Sequence, residues 1–356
     1  MSLKDRLIAR IRATGPMTVA EYMTACLHDP HDGYYATRPA LGEDGDFITA
    51  PMISQMFGEL IGLWAVETWR GMGAPARVLL AEAGPGTGVL VQDALRAARL
   101  DPGFIAAAEL WLIETSAPLT ALQRERLAGA PLKPNWAAGL EGLPSGAPMI
   151  LIANELLDCL PARQFVRVET GWAERMVGLD EVGELVFGLA PRDDLPPASN
   201  APLGAMVEIS EAQTVFTASL ASRLKQHGGA ALLMDYGRDQ RGVGDTFQAL
   251  HRHRKVDPLA SPGEADLTVH ADFPAVLSAA RAAGVHANLL TQGDFLRRLG
   301  MEQRAAALSR ARPDQAPVIA RQLARLIEPD QMGDLFKAAC LYAGDVVPPG
   351  FEDAHG

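Results

Sequence analysis

The run Glu82-Ala83-Gly84-Pro85-Gly86-Thr87-Gly88 follows a short apolar stretch and precedes a helical pattern. Glycines at a strand-to-helix turn reach positive φ and let a ligand approach the backbone, while the unpaired N–H groups of the helix start favour an electron-rich or anionic group. Thr87 is placed to cap that helix. A dinucleotide fingerprint needs a third glycine three places after the second, and Val89 stands there instead. The spacing G-x-G-x-G, with an acid two residues ahead, suits a nucleoside that carries no pyrophosphate. A turn that merely packs a helix onto a sheet has the same composition, so this motif needs company.

Two further acidic positions provide it. Glu114 ends the next apolar run, Leu110 to Ile113, and an acid at the tip of the second strand of a doubly wound sheet is placed to accept ribose hydroxyls. Asn154-Glu155-Leu156-Leu157-Asp158 begins where the apolar run Met149 to Ala153 stops, at the carboxyl end of a strand, where open sheets bind ligands. If a helix starts at that point, Glu155 and Asp158 share one face. Such a pair holds a guanidinium through paired hydrogen bonds or an amine by charge. Asp235 closes a further apolar run and adds a third carboxylate that could take a proton.

These residues need a scaffold, and the patterning supplies one. From Arg77 short apolar strands (Val78 to Ala81, Leu110 to Ile113, Met149 to Ala153, Ala230 to Met234) alternate with helices (about Val89 to Arg99, Pro118 to Leu127, Glu211 to His227), which implies an α/β fold with a parallel sheet. Before it, residues 1–30 read as one or two amphipathic helices, Asp29 to Pro51 as a long binding or lid loop, and Ile53 to Arg70 as a helix. Between Gln164 and Leu189 apolar residues alternate around Gly171 and Gly183, so antiparallel strands interrupt the α/β rhythm; a stretch with Pro191, Pro196, Pro197 and Pro202 closes them. Gly237 to Asp266 reads as a second long loop, and the last third as helical with a strand near Phe336 to Leu341. The expected division is an N-terminal helical and lid region at 1–75, the sheet domain at 76–163 and 205–356, and an inserted β segment at 164–204.

With 356 residues, 48% hydrophobic and 21% charged, the chain is long enough for a full core and unlike a disordered or fibrous polymer. Its net charge of −11 and lack of a basic block argue against nucleic acid and favour a cationic partner. Cys26, Cys159 and Cys340 are scattered, so neither a disulfide framework nor a zinc site is expected, and the pairs His251-x-His253 and His270-x-Asp272 have no third metal ligand at a recognisable spacing. No apolar run approaches the length of a bilayer span and no signal core is present, which places the chain in the cytoplasm. The Arg-rich first helix has some likeness to an organellar transit peptide, but Asp5 interrupts it.

The chain as a whole resembles the MidA-type methyltransferases, a family that includes a mitochondrial arginine methyltransferase assisting complex I assembly. The resemblance lies in Gly33-Tyr34-Tyr35, the block Gly45-Asp46-Phe47-Ile48-Thr49-Ala50-Pro51 with Ile53-Ser54-Gln55, the glycine turn, Asn154 to Asp158, Asp235-Tyr236-Gly237 and Gly263 to Thr268. It implies a Rossmann-like class I methyltransferase sheet, S-adenosylmethionine as cofactor and a protein arginine as acceptor. It also implies that Gly84, Gly86 and Gly88 lie along the methionine part, Glu114 at the ribose and Asn154-Glu155 at the edge of the reaction site, with Glu82 among the cofactor-binding residues. Glu155, Asp158 and Asp235 are then the catalytic candidates, and Tyr34, Tyr35, Thr49, Pro51 and Ser54 the acceptor-side ones, with either tyrosine able to lie against a cation. A small-molecule O- or N-methyltransferase and an assembly chaperone with a vestigial cofactor site are the competing readings. The oligomeric state is not legible, and a dimer is compatible with the sequence.

Overall fold

The apolar runs that begin at residue 78 form one sheet, seen in a computed structural model that describes residues 1–37, 49–192, 201–252 and 254–352. Part of the expected Asp29 to Pro51 loop, Pro196, Pro197 and His253 fall outside the described residues. Contacts divide the chain into two units. One takes in the described residues of 1–47, 157–214 and 240–272, the other those of 48–156, 215–239 and 273–356.

The second unit holds the sheet. Its strands are β1 (Val78–Ala83), β2 (Ala108–Ile113), β3 (Asn135–Ala137), β4 (Met149–Asn154), β5 (Gly229–Arg238), β6 (His286–Thr291) and β7 (Phe336–Ala343). They lie in the order β3-β2-β1-β4-β5-β7-β6. Neighbours from β3 to β5 are parallel, whereas β7 runs antiparallel between β5 and β6. Every residue of β1 and β4 is buried, as expected for parallel strands covered on both faces.

Helix α1 (Gln55–Gly71) starts at Ser54, whose hydroxyl accepts from the Met56 N–H at 3.3 Å. It packs on α2 (Val89–Ala98) with unusual closeness, and glycines permit this. A Cβ on Gly58 would lie 2.6 Å from the Asp93 Cβ, and one on Gly62 only 2.2 Å from the Ala94 carbonyl oxygen. Helix α3 (Ala117–Arg126) begins at Ser116, which caps the Leu119 N–H. Phe57, Trp64, Leu80, Ile152, Leu232 and Phe295 belong to one apolar core around this sheet.

In the first unit the helices Leu3–Thr14 and Val19–His28 each open with a reciprocal capping box, Ser2 with Asp5 and Thr18 with Glu21. Strands Arg163–Val168, Gly171–Leu179, Leu185–Arg192 and Met206–Ile209 pair antiparallel, and Met17–Thr18 joins their edge. The alternation around Gly171 and Gly183 therefore does mark antiparallel strands, and by contacts they group with the N-terminal helices. The stretch Gly237 to Asp266 differs from the expected loop. It carries Gln248–His251 and Arg254–Val256, which form a small antiparallel sheet with Asp266–Thr268. Polar residues on two of these short strands (His251, Arg254, Lys255) hide them from an apolar-alternation reading.

Candidate functional site

In the second unit the strand order reverses between β1 and β4, since the chain moves outward from β1 to β3 and then returns on the other side through β4. Such a switch point opens a crevice at the carboxyl ends of the two strands. The glycine turn leaves β1 there, and Asn154-Glu155 leaves β4.

Gly84, Gly86 and Gly88 all have positive φ, at 66°, 52° and 79°. Gly88 is the N-cap of α2 and supplies no side chain, so Thr87 does not cap the helix as the sequence suggested. A Cβ on Gly84 would stand 3.0 Å from the Leu156 Cδ1, so Leu156 packs against the turn at a place where only glycine fits without displacement. Glu82, one strand residue before Ala83, takes over at the helix start: the Val91 N–H reaches its carboxyl and pulls its pKa down. Burial outweighs this, and with help from the neighbouring Glu114 charge raises the Glu82 pKa to about 8.

Two acceptor atoms in this region are shut off from solvent without a hydrogen-bond partner: Glu82 Oε2 and Asn154 Oδ1. Glu82 is in register with Ile152, so Asn154, two residues further on, points to the same face of the sheet. Both residues are at least nine-tenths buried. A buried polar oxygen without a partner is costly, and two on one face beside a glycine turn fit a polar ligand that supplies the missing hydrogen bonds. Glu114 sits at the tip of β2 with its N–H donating to the Ala137 carbonyl. Its Oε1 accepts from the Thr115 and Ser116 N–H groups at 2.8 and 2.7 Å, and burial raises its pKa.

Glu155 has φ +53°, a left-handed conformation rare outside glycine, so no helix starts here and the shared face expected for Glu155 and Asp158 does not form. Its carboxylate is nonetheless held in place. Oε1 accepts from the Ala50 N–H at 3.2 Å and from Asn154 Nδ2 at 3.0 Å, and its own N–H donates to the Met234 carbonyl. Asp235 is fully buried on β5 and accepts from the Tyr236 N–H at 2.9 Å. Thr49 precedes the short helix Ala50–Ile53 that contains buried Pro51, and the Ser54 oxygen is used as the α1 cap.

The remaining candidates belong to the first unit. The Tyr35 hydroxyl donates to Asp266 Oδ1 at 3.0 Å, and its ring stacks on His28 and meets Tyr34 edge-on. Burial, then the nearby Asp266, pushes the Tyr35 pKa well above its ordinary value. Asp158 is buried in this same unit, and its carbonyl accepts from the Val269 N–H.

One residue escaped sequence reasoning. Gln123 on α3 is fully buried and bonded to both the glycine turn and Glu114. A faint signal existed, because Gln123 falls on the stripe of Leu119 and Leu127, where an apolar residue is the ordinary choice.

A sheet whose main path of seven strands has one antiparallel member, a glycine turn at its switch point and acids at the tips of neighbouring strands define a nucleoside-cofactor-binding α/β protein. Residues 60–291 match a family described as S-adenosyl-L-methionine-dependent methyltransferases, and the chain belongs to that family. Similar proteins include the Danio rerio mitochondrial protein arginine methyltransferase NDUFAF7, 34% identical over 94% of this chain and 86% of that protein. The Homo sapiens mitochondrial NDUFAF7 is 34% identical over 93% of this chain and 81% of its own length. The crystal structure of a Burkholderia thailandensis protein bound to S-adenosyl-homocysteine superimposes with a TM-score of 0.86 at 26% identity, covering 99% of this chain and 95% of that one. The cofactor is S-adenosylmethionine. The cytoplasmic expectation is overturned, since relatives at this identity over most of the chain are named mitochondrial. Among the described residues no helix is long and apolar enough to cross a membrane.

Proposed function

We propose that the chain transfers the methyl group of S-adenosylmethionine to an arginine of a protein acceptor. The observation that carries this reading is Glu155, a carboxylate kept in a strained left-handed conformation at the end of β4 and tethered by the Ala50 N–H and Asn154. Strain of this kind persists where the surrounding structure over-determines the backbone, and it clusters at functional sites. The relatives named protein arginine methyltransferases supply the acceptor class. The family resemblance makes a respiratory complex I subunit the first acceptor to test.

Bound S-adenosylmethionine supplies an electrophilic methyl group on a cationic sulfur, so the protein's work is alignment and exclusion of water. Gly84, Gly86 and Gly88 admit the cofactor to the backbone, Glu82 and Asn154 receive its hydrogen-bond donors, and Glu114 receives the ribose. Glu155 localises the guanidinium and turns one nitrogen towards the methyl group, because two donors already fix its Oε1. Asp235 adds negative charge and accepts the proton that the methylated nitrogen sheds. Within the same unit Thr49, Pro51 and Ser54 serve the acceptor side.

The test is incubation of the full chain with methyl-labelled S-adenosylmethionine and mitochondrial extract, followed by acid hydrolysis of the protein fraction. Label in methylarginine is expected, falling about 100-fold in Glu155→Gln while S-adenosyl-homocysteine affinity stays within about threefold. Label that enters only small molecules would overturn the protein-arginine reading.

A further inference from the structure

Gln123 is a fully buried polar residue on a helix face that otherwise carries Leu119. A glutamine on the inner face of a helix is costly unless its amide is fully bonded, and here both bonds of the amide nitrogen lead to the glycine turn and Glu114. Its Nε2 donates to the Gly86 carbonyl at 2.7 Å and to Glu114 Oε2 at 3.1 Å, while its Oε1 accepts from Trp136 Nε1 at 2.8 Å. An indole N–H is only a donor, so Trp136 on β3 dictates which end of the amide is oxygen. The amide nitrogen must then face the glycine turn and Glu114 together.

The consequence falls on Glu114. Its Oε1 is taken by the Thr115 and Ser116 N–H groups, which leaves Oε2 as the oxygen with acceptor capacity to spare. Oε2 is the atom that Gln123 holds, at a set place relative to the Gly86 carbonyl. We infer that Gln123, locked by Trp136, is a positioning residue that sets Glu114 and the glycine turn in one geometry before the cofactor binds. The inference rests on the reading of Glu114 as the ribose acceptor. Preorganisation of this kind raises affinity by removing freedom that the ligand would otherwise have to suppress.

The experiment is equilibrium titration of the full chain with S-adenosyl-homocysteine, well below the melting temperature, for Glu114→Gln, Gln123→Met, Trp136→Phe and the double variants with Glu114→Gln. We expect about a tenfold or greater loss for Glu114→Gln, about tenfold for Gln123→Met, about threefold for Trp136→Phe, and double variants weaker by clearly less than the product of the singles. A purely structural role for Gln123 would lower melting temperature and multiply its effect with that of Glu114→Gln; strictly multiplicative losses overturn the inference. Unchanged affinity in Glu114→Gln overturns the ribose reading itself, a separate failure. If Gln123→Met does not fold, the Trp136→Phe cycle decides by the same criterion.

Discussion

Glu208 and Glu82 are both buried carboxylates on strands, one in each unit, and they are furnished in opposite ways. Glu208 accepts from Gln164 Nε2, from the N–H and hydroxyl of Thr246 and from the Phe247 N–H, all between 2.6 and 3.2 Å. Its neighbour in the same antiparallel sheet, Glu174, is gripped by both arms of Arg163 at 2.7 Å, with Arg192 at 3.5 Å. Glu82 has the help of one amide, a bare oxygen and a pKa raised to about 8. Glu208 and Glu174 are saturated by donors of the chain itself, whereas Glu82 keeps a buried oxygen for which the chain supplies no partner. Burial alone does not distinguish the two; the inventory of partners does.

The contrast breaks most visibly at the glycine turn. Gly86→Val forces a β-branched residue into φ +52° where the carbonyl is already committed to Gln123, and S-adenosyl-homocysteine affinity should fall by more than about 100-fold in calorimetry. On the saturated side, Arg163→Met strips Glu174 of its bidentate partner, leaving a buried charge with Arg192 alone. Thermal and denaturant unfolding should show a loss of about 3 kcal/mol, with cofactor affinity unchanged.

The third expectation sharpens the comparison through pH. The folded chain keeps the Glu82 proton up to about pH 8, whereas the unfolded chain releases it near 4.5. Between those values the native state binds more protons, so stability without ligand falls as pH rises through the window and levels off above it. The contribution is at most about 1.4 kcal/mol per pH unit. Glu82→Gln should flatten that slope in unfolding curves recorded from pH 5 to 9. A slope that survives the substitution would assign the titration to another group.

Much of this arrangement is legible in the residues. Apolar runs mark β1, β2, β4, β5 and β7, and the helix Glu211–His227 has the bounds its periodicity predicts. β3 is only Asn135–Ala137, too short for any pattern, and β6 mixes His286 and Asn288 with its apolar residues because it lies at the sheet edge. The acids Glu82, Glu114 and Glu155 could be chosen because each follows an apolar run. What could not be read is how each is held. The left-handed residue Glu155 is tethered by Ala50, 105 positions away in the chain, and the Gln123 amide reaches Gly86, 37 positions away. Local propensity carries no trace of such partners.

The position of β7 has a consequence for how the molecule is made. It enters between β5 and β6, pairing residue by residue with Gly229 to Tyr236 on one side and His286 to Thr291 on the other. A chain emerging from the ribosome therefore exposes the open edge of β5 until residues 336–343 have been synthesised, more than a hundred residues after β5 begins. Closure of the sheet is a late, non-local event, and a nascent chain that stalls before it presents an unpaired strand edge, the surface on which chaperones act and aggregates grow.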